Sequence, residues 1–182
     1  RTGTELFPQV DSSQFTIYVR LPSGTRIERT EETVAEIEKV LMDEIGQPDA
    51  EYPKVEKYAD SNLRILISNI GVLMDWPAAY TPNTGPMDAF VLVQLKGKSG
   101  MPATFEYVER LRSKLNRRFP GVDFAFDTGG MMTAALNFGL PSPINVRVQG
   151  SNLFTAEEIA MHVQRIASSV PGAADVRIAQ RM

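Results

Sequence analysis

The periodicity of this chain changes from strand to helix and back, and that order limits it to folds with helices layered on a sheet. Residues 14–21 (QFTIYVRL) alternate, with Phe15, Ile17, Val19 and Leu21 on one face, as a half-buried strand requires. Pro22-Ser23-Gly24 ends that strand. A helix is expected from about Thr30, with Thr30 as N-cap and Glu31 and Glu32 at the positive end of the helix dipole. Val34, Ile37, Leu41 and Ile45 form its apolar stripe, and Gly46 stops it. A second strand of uncertain limits lies within 55–68, and 90–95 reads as a third, apolar on both faces except Gln94. Thr104 is the expected cap of a second helix with stripe Phe105, Val108, Leu111, Leu115 and Phe119. Pro120-Gly121 closes it, and 122–126 is the next strand.

Strand-helix-strand-strand-helix-strand over 14–128 is the order of the ferredoxin-like, or split βαβ, sandwich, an α+β class fold. It buries one sheet face under two amphipathic helices and is a complete domain. After a connector at 129–142, the pattern begins again. Residues 144–149 read as a strand, Thr155 with Glu158 as a capping box, and Ile159, Val163, Ile166 and Val170 as a helix stripe. Pro171-Gly172 precedes a last expected strand at 174–178. Residues 143–182 therefore read as the first βαβ half of a second such subdomain. The two starts are alike: IYVRLPSG then TEETVAEIEKVL, and INVRVQGSN then TAEEIAMHVQRI. A duplicated βαβ unit is the simplest account.

Composition narrows the function classes. The 182 residues are 43% hydrophobic and 23% charged, as in a globular protein. Lys plus Arg is 19 against 22 Asp plus Glu, a net charge of -3, which argues against a general nucleic-acid binder. With no cysteine there is no disulfide or thiol nucleophile, and the single histidine excludes a two-His metal site within one chain. No stretch approaches the roughly 20 apolar residues of a membrane span. The chain opens Arg1-Thr2-Gly3-Thr4 without a starting Met or a leader, so it reads as an excised, soluble fragment.

Catalytic sets are missing from the sequence: it has no P-loop, G-x-G-x-x-G, G-x-S-x-G or H-E-x-x-H. The expectation is a non-enzyme without a cofactor. His162, at the edge of its stripe, reads as a partly buried surface histidine. Glu31, Glu32, Glu36 and Glu38 read as the solvated side of a helix. Gly129-Gly130-Met131-Met132 reads as a connector, with a metal-facing Met pair as the alternative. The unusual region is 71–88, GVLMDWPAAYTPNTGPMD. It carries Leu73, Met74, the sole tryptophan Trp76, Tyr80 and Met87 where this fold needs a short turn. Long loops with large apolar side chains either fold over their own core or wall a binding cleft.

Several segments together resemble resistance-nodulation-division (RND) efflux pumps of the multidrug, or acriflavine-resistance, type. They are Glu5-Leu6-Phe7-Pro8 with Asp11, Leu21-Pro22-Ser23-Gly24-Thr25, Glu28-Arg29-Thr30, Asn83-Thr84-Gly85 and 91–96. Ser142-Pro143-Ile144 leading into 146–150, and Val170-Pro171-Gly172, complete the set. The resemblance implies that 1–13 follow a membrane helix in the parent protein. It further implies that 14–128 form the third porter subdomain and that 143–182 open the fourth. The parent would be a proton-driven homotrimer of the inner membrane with a periplasmic adaptor and an outer-membrane channel, and this piece would be periplasmic.

The family's switch loop, which separates two substrate pockets, falls on Gly71 to Gly85. The implied substrate-binding residues are Leu73, Met74, Trp76 and Tyr80, with Phe90 and Leu92 on the following strand. The metal-exporting branch holds Cu(I) or Ag(I) with a methionine cluster. Two of those positions fall on Ile17 and Ala135, with Met131 and Met132 out of register. Small amphiphilic organic substrates are therefore the expectation. The alternatives are a heavy-metal efflux pump of the same fold and a free-standing ferredoxin-like ligand-binding domain.

Overall fold

The computed structural model describes residues 11–46, 61–72, 83–97, 99–128 and 144–178. The chain divides into two compact units, Arg1–Gly130 and Met131–Met182.

The first unit contains β1 (Gln14–Arg20), α1 (Ile27–Ile45), β2 (Leu63–Ile70), β3 (Asp88–Leu95), α2 (Thr104–Arg118) and β4 (Asp123–Asp127). Its sheet has the order β2-β3-β1-β4, and each neighbouring pair is antiparallel. This is the expected split βαβ sandwich. β1 lies opposite β3 with Ile17 facing Val91 and Val19 facing Ala89. Those residues line the helix-covered side of the sheet, where Phe15, Ile17, Val91 and Val93 are buried. Val34, Ile37, Leu41 and Ile45 of α1 and Val108, Leu111 and Leu115 of α2 cover them. Each such side chain contributes about 1.5–3 kcal/mol by leaving water.

Sequence limits shift in instructive ways. α1 begins at Ile27, three residues before the expected cap. Thr30 is fully buried inside the helix, and its hydroxyl donates to the Pro86 carbonyl at 2.8 Å. Gly46 does end α1: its φ is +109°, and a Cβ there would sit 2.4 Å from Ser61 Oγ. Thr104 is the first residue of α2 rather than its cap. Its amide donates to Asp11 Oδ2 at 2.9 Å and its hydroxyl to Asp11 Oδ1, so a carboxylate 93 residues away takes the cap's role. Phe105 is 64% exposed, and Tyr107 takes its expected place in the core. Glu38 is half-buried rather than solvated and accepts from Ser68 Oγ at 2.6 Å, while Glu36 pairs with Lys39 and Arg118.

β2 spans 63–70, past the expected limit at 68, and a bulge lies between Leu63 and Ile65. The extra residue reverses the alternation. Leu63 faces Leu95 and Leu66 faces Val93, so residues of both parities reach the core side. Ile65 and Ile67 turn to the open face.

The second unit contains α3 (Leu153–Ser168). Its cap is Asn152, whose Oδ1 accepts from the Phe154 and Thr155 amides at 3.0 and 3.2 Å, so the expected Thr155 capping box does not form. Residues 144–149 and 174–178, expected as strands, form none. None of the α3 side chains is buried, and His162 is exposed rather than partly buried. Gln164 Nε2 donates to the Val176 carbonyl at 3.1 Å, tying the helix to the segment after it.

Candidate functional site

Phe90 and Leu92 occupy the face of β3 that points away from the helices. Register places Phe90 opposite Tyr18 of β1 and Asn69 of β2, and Leu92 opposite Thr16 and Ile67. Both are half-buried, and Ile65 and Ile67 beside them are 40% and 52% exposed. The open face thus carries an apolar strip across β2 and β3, flanked by Thr16, Gln14 and Gln94. At the end of the same face Arg20 stands opposite Asp88 and pairs with it at 3.1 Å.

Gly71 and Gly85, the expected loop limits, are both buried. Gly71 has φ +69°, and a Cβ there would approach Ile27 Cδ1 to 3.1 Å. A Cβ on Gly85 would meet Met87 Sδ at 2.6 Å, so the chain packs tightly at both limits. Leu73, Met74, Trp76 and Tyr80 lie outside the described residues, as do Met131, Met132, Ala135 and the 129–142 connector. Ile17, where the resemblance puts a metal-branch methionine, is wholly buried in the core.

Sequence reasoning missed the polar network that joins these limits. Asn83, 6% exposed, donates from Nδ2 to the Gly71 carbonyl at 2.8 Å and to Asn69 Oδ1 at 3.0 Å. Asp88 is 3% exposed. Its Oδ2 accepts from the Thr84 amide and hydroxyl at 2.9 and 2.6 Å, and its Oδ1 from Arg20 Nε at 3.1 Å. Burial pushes the Asp88 carboxyl up. The Thr84 hydroxyl and amide and the Arg20 guanidinium outweigh that and hold it below its ordinary value. A carboxylate opening an otherwise apolar strand, opposite an arginine closing another, was the available signal. Among the described residues no group of three or more His, Asp and Glu side chains has a spacing that would hold a metal ion. No described helix is long and apolar enough to cross a membrane.

No protein-family model and no curated protein sequence matches the chain. Solved structures do. One crystal form of a heavy metal efflux pump superimposes with a TM-score of 0.71 at 20% identity, over 96% of this chain and 16% of that one. A second crystal form gives 0.69 at 20% identity, over 94% and 16%. The fold is therefore that of a segment of an efflux pump, and this chain spans about a sixth of the length of the pump chains it matches. These neighbours are transporters rather than enzymes. They export heavy metals, whereas the sequence reading expected organic cargo.

Proposed function

We propose that this chain is a periplasmic porter segment of a proton-driven RND efflux transporter, in which Arg1–Gly130 supplies a wall of the substrate path. The observation that carries this reading is the β2-β3-β1-β4 sheet with both helices on one side, within a fold shared over 96% of the chain with a transporter. The segment works by apolar contact and by movement against neighbouring subdomains, so it needs no catalytic set. Localisation in the periplasm, as part of an inner-membrane homotrimer with an adaptor and an outer-membrane channel, follows from the same reading.

The fold neighbours favour a soft heavy-metal cargo. The organic reading is supported by the resemblance, which puts a metal-branch methionine position at Ile17, a hydrocarbon buried in the core here. Phe90, Leu92, Ile65 and Ile67 offer apolar surface instead.

Titration of the 182-residue chain with Ag(I), and separately with an amphiphilic dye, tests the cargo through the emission of Trp76. A stoichiometric response to Ag(I) alone supports metal export. A weak, saturable response to the dye that Phe90→Ala and Leu92→Ala reduce supports the organic reading. If Trp76 responds to neither, this segment is not a substrate-contacting wall.

A further inference from the structure

The hydrogen bonds at the ends of the 71–85 loop form two separable fastenings. In the first, Asn83 bridges the loop mouth by donating to the Gly71 carbonyl and to Asn69 Oδ1, on the stem that leaves β2. In the second, Asp88 draws the returning stem onto the sheet by accepting from Thr84 and from Arg20, the last residue of β1. Backbone bonds follow the same lines: Gly71 N donates to the Asp88 carbonyl at 2.8 Å and Leu21 N to the Met87 carbonyl at 2.9 Å. Thr30 of α1 adds a bond to Pro86. Arg20 of β1, Thr30 of α1 and Asn69 of β2 therefore converge on the segment 83–88 that leads into β3.

A short turn between β2 and β3 would not need this many polar partners. Burying Asn83, Asp88 and Thr30 carries a desolvation cost that only complete pairing offsets. The network is concentrated where a long insertion leaves and re-enters the sheet.

We propose that Asn83, Thr84, Asp88 and Arg20 form a latch that holds the two stems of the loop in fixed register. They are positioning residues for the loop's substrate-facing role, and only that role rests on the efflux reading. The latch fixes where the loop is rooted in the sheet.

Amide exchange and Trp76 emission of the 182-residue chain test this without any ligand, so the latch and the efflux reading fail independently. In Asp88→Asn, the Thr84 amide is expected to exchange about tenfold faster than in the parent chain, with Val91 and Val93 of the core unchanged. Trp76 emission is expected to shift in Asp88→Asn and in Asn83→Ala. A core variant such as Leu115→Ala, which weakens the whole unit, should leave the Trp76 emission of the folded chain unmoved. A folded Asp88→Asn chain with unchanged Thr84 exchange and unchanged Trp76 emission overturns the proposal. Should Asp88→Asn not fold, Thr84→Val decides by the same two readings, since it removes only the hydroxyl at an exposed position.

Discussion

Helices α1 and α3 grow from closely similar segments, TEETVAEIEKVL and TAEEIAMHVQRI, yet α1 buries six residues and α3 buries none. The strands around them diverge in the same way. β1 forms a full ladder, while 144–150, its counterpart by sequence pattern, forms no strand. Sheet topology explains the contrast. In the first unit β1 lies between β3 and β4, and β2 pairs only with β3. Every pairing thus joins the first βαβ half to the second, and none lies within the first half. Among its described residues the second unit has one helix and no strand, so no ladder of that kind forms there and the apolar stripe of α3 meets no sheet. An amphipathic pattern states what a segment can bury; topology decides whether a partner is present.

The largest expected effect follows from that difference. Leu111→Ala in the fully buried core should cost about 3 kcal/mol of unfolding free energy, since it removes packed methyl groups and leaves a cavity. Ile166→Ala on α3, where Ile166 is 55% exposed, should change stability by less than about 0.5 kcal/mol. Urea unfolding followed by circular dichroism checks both. A cost for Ile166→Ala near that of Leu111→Ala would mean that the α3 stripe is covered after all.

The same topology accounts for what was legible in the sequence. The alternation of β1 and the stripe of α1 were readable because each has one buried face and a regular period. The α2 stripe was readable at Val108, Leu111, Leu115 and the partly buried Phe119 but not at its first position. Phe105 looks apolar by type yet lies on the outer side, and Tyr107, whose phenol needs a partner, is buried and receives the Asn62 Nδ2 donation at 3.4 Å. The start of β2 was obscured because a bulge between Leu63 and Ile65 changes the parity of LRILISNI there. The caps at Asp11 and Asn152 were missed for different reasons. Asn152 is local, but Thr155 offered a better-known pattern three residues later. Asp11 acts across 93 residues, and no local window contains both partners. Of the candidate site, the shared face of Phe90 and Leu92 was readable, whereas the Asn83 and Asp88 network depends on three-dimensional convergence.

Those two caps give the next, smaller test. Asp11→Ala leaves the first amide of α2 without its acceptor and should cost about 1 kcal/mol in the unfolding of the first unit. Asn152→Ala removes a cap of similar geometry from a helix with no buried side chain. Its effect should appear as lost helicity at α3 and leave the midpoint of the first unit's transition unchanged. A shift of that midpoint by Asn152→Ala would break the separation of the two units' energetics.

Acid should produce the mildest and most graded effect, and it sharpens the comparison because the first unit holds three carboxyls below their ordinary value: Asp11, Asp88 and, through Lys39 and Arg118, the solvent-facing Glu36. At Asp88, burial raises the value and bonds from Thr84 and Arg20 lower it further. At Asp11, burial raises it and the Thr104 hydroxyl and amide, with the Ser13 amide, lower it further. A carboxyl whose folded value is depressed binds its proton more weakly in the folded state than in the unfolded one. Its contribution is therefore fully present above the unfolded value, near 3.8, and is lost as pH falls through the lower folded value. The first unit should accordingly hold its stability from neutrality down to about pH 4 and lose it progressively below. Asp88→Asn removes one of the three titrations, so the variant should begin less stable but show a shallower fall in acid. Urea midpoints measured at successive pH values test the sign directly. An equally steep acid limb in Asp88→Asn would mean that the buried pair with Arg20 does not govern the acid response of the sheet.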